Sequence, residues 1–94
     1  MIITIKNYCD IFAQNKDVAK ALREDYIYPA IKKGDLPIVL DFLDVDSSTQ
    51  SFVHALVSGI FQEYGEKTLE MFEFKNCNKA IVSLITTVIN YSLE

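Results

Sequence analysis

Residues 38–57 most constrain the fold of this chain, because three different sequence patterns follow one another there. Residues 38–42 are almost continuously apolar, which is typical of a strand covered on both faces. Residues 44–50 are acidic, rich in hydroxyl groups and without periodicity, so they predict a connection. A wide apolar stripe from Ser51 to Gly65 then predicts a helix. A buried strand followed closely by a helix is typical of α/β folds.

Strand patterns also occur on both sides of this segment. Residues 2–6 alternate between apolar and polar side chains and are rich in β-branched residues, which predicts a strand. Residues 71–74 predict a further short strand. Residues 11–13 fit either a short added strand or a buried loop, so both alternatives stay open at this point.

Two more helices follow from their start and stop signals. The first begins at Asn15, a good N-cap residue, and ends at Gly34, a residue type common just after helices. Pro29 lies inside this helix and predicts a kink or an early end, because proline removes one backbone hydrogen bond. The last helix is capped by Asn76 or Asn78 and runs almost to the end of the chain.

The order of elements predicts one α/β domain over residues 1–94, with a three- to four-stranded, mostly parallel sheet and three helices. Alternating strands and helices imply parallel neighbours joined by right-handed crossovers. With so few strands, helices on a single face would leave the other face or an edge free for a partner.

The charge of the chain limits its partners. The formal net charge is −4, whereas nucleic-acid binding needs an excess of lysine and arginine to displace counterions. The same charge argues against docking on an anionic membrane. No apolar run approaches the ~18 residues needed to span a bilayer, so we expect neither a nucleic-acid nor a membrane partner.

The cysteines indicate neither a metal site nor a secreted framework. Cys9 and Cys77 form no CxxC pair and accompany no histidine cluster, so a structural zinc site is not expected. We expect two free thiols in a reducing cytoplasm, although spacing alone leaves a disulfide open. The N-terminal segment is too short for a signal-peptide core, and we expect a cytoplasmic protein without a cofactor.

Two groups of polar residues invite a catalytic interpretation. Asp41, Asp44 and Asp46 follow the central strand and could hold Mg²⁺, but they fit a solvated acidic turn better. Ser51 and His54 share a helix face, yet nucleophilic catalysis would need a third orienting group and an oxyanion hole. The glycine-flanked serine elbow is absent. We therefore assign no catalytic residue.

The hydroxyl groups before the second long helix have two alternative roles. Ser47 and Gln50 have the spacing of a capping box, in which side chains satisfy the free N–H groups of a helix start. The other role is regulatory phosphorylation, with Ser51 and Thr49 as candidate sites. A phosphate there would be tolerated by the positive end of the helix dipole.

The sequence resembles the STAS-like family, a small relative of sulfate-transporter and anti-sigma-factor-antagonist domains. The resemblance rests on Ile-Val-Leu-Asp-Phe at residues 38–42, then Val45, then Ser51-Phe52, and on Phe-Glu-Phe-Lys-Asn at residues 72–76. In the antagonists, a partner kinase phosphorylates a serine at this helix start, and Ser51 matches that position. Thr49 stands where that family has aspartate, and Phe52 where it has glycine.

The resemblance implies a non-enzymatic cytoplasmic regulator whose protein partner is a histidine-kinase-like ATPase of the anti-sigma type. A second hypothesis is a structural or assembly module that forms a homodimer through an exposed sheet face or edge. A small hydrolase using Ser51 and His54 is the third and weakest. The surface predicted to bind the partner of the regulator consists of Asp44, Asp46, Ser47, Ser48, Thr49, Ser51, His54 and Ser58.

Overall fold

The computed structural model describes residues 1–93 and confirms the α/β class; the predicted boundary at Glu94 lies outside the described residues. We number four helices, one more than predicted, because a short helix follows the first strand. Helices α2 and α3 each contain a central π-helical segment. The strands are β1 (Ile2–Thr4), β2 (Phe12–Ala13), β3 (Ile38–Asp41), β4 (Ser47–Ser48) and β5 (Phe72–Lys75). The helices are α1 (Lys6–Cys9), α2 (Lys16–Leu22, Arg23–Ile27 and Tyr28–Lys33), α3 (Gln50–Val53, His54–Ser58 and Gly59–Tyr64) and α4 (Lys79–Ser92). Helix α3 is extended by a 3-10 turn, Gly65–Lys67, and a helical turn, Thr68–Met71.

Parallel pairing holds for every strand in the described range, but the strands form two sheets rather than one. The main sheet has the order β1-β3-β5, and β2 and β4 form a separate two-stranded sheet. Residues 11–13 therefore contribute a strand, as one of the two alternatives predicted. The prediction of an irregular connection over 44–50 is wrong at Ser47 and Ser48, because these residues pair with Phe12 and Ala13.

The long helices cover only one face of the main sheet. Because β1, β3 and β5 follow one another in a single direction across the sheet, right-handed crossovers place both connecting helices on the same side. Ile38 and Leu40 of β3 point into this helical layer and join the main core. The opposite face of the sheet is therefore left without a helical cover.

This arrangement corrects the expectation that β3 is covered on both faces. Val39 is buried, yet it does not belong to the main core cluster. It points to the uncovered face, where Ile2 and Glu73 flank it in register on the neighbouring strands. Adjacent side chains of the sheet, rather than a second helical layer, shield it from water.

Helix α2 begins and ends where its signals predict. The side-chain oxygen of Asn15 accepts hydrogen bonds from the backbone N–H groups of Asp17 and Val18, and Gly34 ends the helix with φ 74°. Pro29 does not end the helix early. A π-helical segment, Arg23–Ile27, precedes Pro29 instead and changes the backbone hydrogen-bond pattern before the proline.

Helix α3 occupies the centre of the helical layer. It packs against both α2 and α4, which explains its unusually wide apolar stripe. Gly65 ends its regular part with φ 62°, a conformation that disfavours a side chain. The apolar side chains of the regular part of α3 that are almost fully buried are Phe52, Val53, Leu56, Val57, Ile60 and Phe61.

Strand β5 and helix α4 complete the fold. The strand begins one residue later than predicted, because Met71 still belongs to the preceding helical turn. Asn78, rather than Asn76, is the N-cap of α4 and accepts a hydrogen bond from the N–H of Ile81 at 2.9 Å. None of the helices in the described range has both the length and the apolarity required to cross a bilayer.

Candidate interaction site

The candidate site lies where the main sheet meets the start of α3. We call residues 44–49, between β3 and α3, the acidic loop. It follows the carboxyl end of β3, beside the carboxyl ends of β1 and β5, and ligands of parallel α/β sheets commonly bind at such ends.

Asp41 joins the ends of the three main strands. Its backbone oxygen accepts from the N–H of Ile5 at 2.9 Å, and its carboxylate oxygen Oδ1 accepts from the side chain of Asn76 at 2.9 Å. The N–H of Leu43 donates to the same Oδ1 at 3.0 Å. The two bonds to Oδ1, the one from Asn76 foremost, lower the pKa of Asp41 below its usual value. Asp41 is therefore a structural carboxylate at this edge.

The lowered pKa of Asp41 predicts a loss of stability in acid. A carboxyl with a lower pKa in the folded state binds fewer protons there than in the unfolded chain. Its contribution is complete above the ordinary pKa of 3.8 and disappears as the pH falls through the lower value of the folded state. Asn76 has φ 58°, so Asn76→Gly keeps the backbone favourable while removing the donor.

We expect the Asn76→Gly variant to lose less stability than wild type between about pH 7 and about pH 3, since its Asp41 pKa lies closer to the unfolded value. Urea unfolding at both pH values measures this difference. An equal acid-induced loss in the two proteins would show that the bond from Asn76 does not set the pKa of Asp41.

The side chain of Asn78 connects the acidic loop to α4 by hydrogen bonds. Its side-chain nitrogen donates to the backbone oxygen of Asp46 at 2.8 Å and to that of Val45 at 3.4 Å, while its side-chain oxygen caps α4. One side chain therefore satisfies carbonyl groups of the loop and a free N–H group of the helix. The position of the loop is thereby coupled to the position of α4.

The two-stranded sheet of β2 and β4 holds the acidic loop by backbone hydrogen bonds to residues 11–13. The N–H of Asp46 donates to the oxygen of Ile11 at 2.8 Å, and the N–H of Thr49 donates to the oxygen of Ala13 at 2.9 Å. Ser47 and Ser48 lie between these two bonds, in β4. With β2 on one side and Asn78 on the other, the acidic loop is held in a defined conformation by hydrogen bonds within the chain.

The loop presents more negative than positive charge. Asp44 and Asp46 are both exposed, and Asp44 has φ 62° at the turn that leaves the sheet. The ammonium group of Lys6 lies 3.9 Å from the carboxylate of Asp44, and such an exposed pair contributes little to stability. No group of three or more His, Cys, Asp or Glu side chains within residues 1–93 is placed to hold a metal ion.

Thr49, not Ser47, caps α3. The hydroxyl oxygen of Thr49 accepts from the N–H of Phe52 at 3.1 Å, so the predicted capping box of Ser47 and Gln50 is wrong. Ser47 cannot take this role because it belongs to β4. Among the described residues, the backbone N–H groups of Gln50 and Ser51 have no hydrogen-bond partner, as expected in a first helical turn.

Ser51 lies in the first turn of α3 and its side chain is exposed, as predicted. Together with Gln50 and His54 it lines a shallow, open groove. Within residues 1–93, no hydrogen bond joins Ser51 to His54. The arrangement therefore offers an accessible hydroxyl, but not the hydrogen-bonded pair that would activate it as a nucleophile.

The expectation that Ser58 shares this exposed face is wrong. Ser58 is only 3% exposed, and its hydroxyl accepts a hydrogen bond from the hydroxyl of Ser92 on α4 at 3.3 Å. The packing of α4 against α3 covers this position, which a helix considered alone would leave exposed. The remaining predicted contact residues lie at the acidic loop or on the first turns of α3.

Three contributors to the site were missed by sequence reasoning, namely the bridging roles of Asn76 and Asn78 and the ion pair of Lys6. The signal for the asparagines was their position directly after the third parallel strand, at the edge where the other strand ends meet. Lys6 gave no such signal, because it approaches Asp44 only through the pairing of β1 with β3.

A small parallel sheet with helices on one face, and an ordered loop leading into an exposed helix start, define a small α/β domain. A protein-family model described as a STAS-like domain of unknown function (DUF4325) matches residues 18–82. This range contains β3, the acidic loop, α3 and β5, and it covers more than half of the chain. The protein therefore belongs to this STAS-like family, which confirms the resemblance seen in the sequence. No curated protein and no solved structure gives a significant match.

Proposed function

We propose that the protein is a non-enzymatic, cytoplasmic regulatory module that binds a protein partner through the acidic loop and the first turn of α3. Phosphorylation of Ser51 switches this binding off. The observation that carries the proposal is the position of Ser51, whose exposed hydroxyl in the first turn of a long helix makes no hydrogen bond within the described residues.

Thr49 and Ser51 have different roles at the start of α3, and this difference supports Ser51 as the hydroxyl that can be modified. Thr49 provides the cap, so the helix start does not depend on the Ser51 side chain. A phosphate on Thr49 would instead disturb the bond to the N–H of Phe52, and the Thr49 side chain is half-buried. Of the two candidate sites, Ser51 is therefore the one that can be modified without loss of the cap.

Electrostatics explains how a phosphate at Ser51 would act on binding but not on folding. It adds about −1.5 to −2 charges beside Asp44 and Asp46, which are already exposed. Within the domain, the N–H groups of Gln50 and Ser51 and the positive end of the helix dipole offset this charge. A partner that packs apolar groups against the first turn of α3 has no such compensation and is released.

The family resemblance suggests the kind of partner. The sequence around Ser51 resembles that of anti-sigma-factor antagonists, whose partner is a histidine-kinase-like ATPase that phosphorylates the serine. Phe52 replaces the glycine of those proteins and is buried in the core. The Phe52 side chain is therefore not presented to a partner, which contacts the acidic loop and the exposed side chains of Gln50 and Ser51 instead.

The proposal is tested by comparing Ser51→Asp with Ser51→Ala. We expect Ser51→Asp to lose a partner that both wild type and Ser51→Ala retain in pull-downs from the source cells. The free energy of unfolding of Ser51→Asp should stay within about 1 kcal/mol of wild type or rise slightly, because an acidic residue in the first turn is favourable. Mass spectrometry of the protein isolated from its cells should locate phosphate on Ser51.

Ser83→Asp provides the matched control, since Ser83 is an exposed serine on α4, outside the acidic loop and the first turn of α3. It makes the same chemical change and should leave partner binding unchanged. Equal retention of every partner by wild type and Ser51→Asp would contradict the proposal. A phosphate found only at other positions would contradict the assignment to Ser51.

A further inference from the structure

Strand β5 is an edge strand with one free side. Only β3 pairs with it among the described residues. The N–H of Phe42 donates to the oxygen of Lys75 at 2.9 Å, and in a parallel ladder a residue turns both backbone groups toward the same neighbour. Glu73 and Lys75 therefore face β3, whereas the N–H and carbonyl groups of Phe74 point outward from the sheet edge.

We propose that this edge pairs with β5 of a second copy of the chain, antiparallel and with a two-fold axis at Phe74. In such a pair the two Phe74 residues face each other and exchange both of their outward backbone hydrogen bonds. The main sheets of the two copies then form one continuous sheet. The proposal is independent of the switch at Ser51, because it uses a different strand.

The charges on β5 favour a second copy over an unrelated strand. An antiparallel pair centred on Phe74 places Glu73 of each copy directly opposite Lys75 of the other, so two opposite-charge pairs form by symmetry. Within one chain these side chains are exposed and 3.9 Å apart, and such a pair is weakly held in water. The sequence Glu-Phe-Lys is thus complementary to itself in this one register.

An apolar groove beside the edge supports the same occupant. The Phe74 side chain points to the helical face, and together with Cys77, Val82 and Ile89 it lines an open groove between β5 and α4. Val82 is 49% exposed. The two-fold axis lies perpendicular to the sheet, so the helices of both copies fall on one side and each α4 is brought toward the groove of the other copy.

Charge reversal tests the pairing directly. We expect sedimentation equilibrium of the full chain to show a monomer–dimer equilibrium for wild type. Glu73→Lys and Lys75→Glu should each weaken dimerisation by about tenfold or more, because each places like charges opposite each other twice. The double variant Glu73→Lys/Lys75→Glu restores opposite charges in both pairs and should restore dimerisation.

Glu66→Lys makes the same charge change at an exposed position outside the strand and should leave dimerisation unchanged. Circular dichroism should show all variants folded, because the substituted side chains are exposed. A wild-type chain that stays monomeric at every concentration would overturn the proposal. So would a double variant as weak as the single ones, or single variants that dimerise like wild type. Ser51→Asp should dimerise normally, which separates this test from that of the switch.

Discussion

Replacement of Phe52 by alanine is expected to lower the free energy of unfolding by about 3–5 kcal/mol. Phe52 is 0% exposed and belongs to the core, so truncation removes buried apolar surface and leaves a cavity that close-packed neighbours fill only in part. A domain of this kind has a total stability of only about 5–15 kcal/mol. Urea unfolding followed by circular dichroism measures the loss.

Leu43→Ala is the matched control, because Leu43 is 52% exposed and its removal should change stability by no more than about 0.5 kcal/mol. A Phe52→Ala variant as stable as Leu43→Ala would show that residue 52 does not anchor α3 to the core. Glycine at residue 52 would destabilise the protein at least as strongly, because it removes the same buried side chain.

Asn78→Ala is expected to lower the free energy of unfolding by about 2–3 kcal/mol. Loss of the N-cap of α4 accounts for about 1 kcal/mol, and loss of the donor to the carbonyl groups of Val45 and Asp46 accounts for the rest. The acidic loop should also become more mobile. Hydrogen exchange of the Asp46 and Thr49 amides, measured together with urea unfolding, reports on this second effect.

Asn90→Ala makes the same chemical change at an exposed position within α4. It should alter stability by no more than about 0.5 kcal/mol and leave loop exchange unchanged. If Asn78→Ala were as mild as Asn90→Ala, then the bonds from Asn78 would not hold the loop, and the defined conformation of the acidic loop would need another explanation.

The elements of this fold were largely predictable because their signals are local. Asn15 and Gly34 delimit α2, and Gly65 ends the regular part of α3, since capping and left-handed backbone act within one helical turn. The apolar run of β3 identified the central strand. The start of α3 next to Ser51 followed from the change of pattern, although the capping residue proved to be Thr49.

The candidate site was predictable only in part. The acidic loop and the exposed hydroxyl of Ser51 followed from composition and position. The strand at Ser47 and Ser48 did not, because its stability comes from pairing with Phe12 and Ala13, far away in the sequence. Asn76 and Asn78 resembled ordinary cap residues until the strand ends brought them to Asp41 and to the loop.

Taken by itself, the sequence determined which segments become strands and helices, because periodicity and capping depend on neighbours within a few residues. It also determined the STAS-like family to which the protein belongs. Only the tertiary structure decided which groups are accessible. The packing of α4 against α3 buried Ser58, and the single direction of the strand order left one sheet face and the β5 edge uncovered. The accessibility of a side chain or strand edge depends on contacts between segments that are distant in the sequence, so local sequence patterns do not predict it.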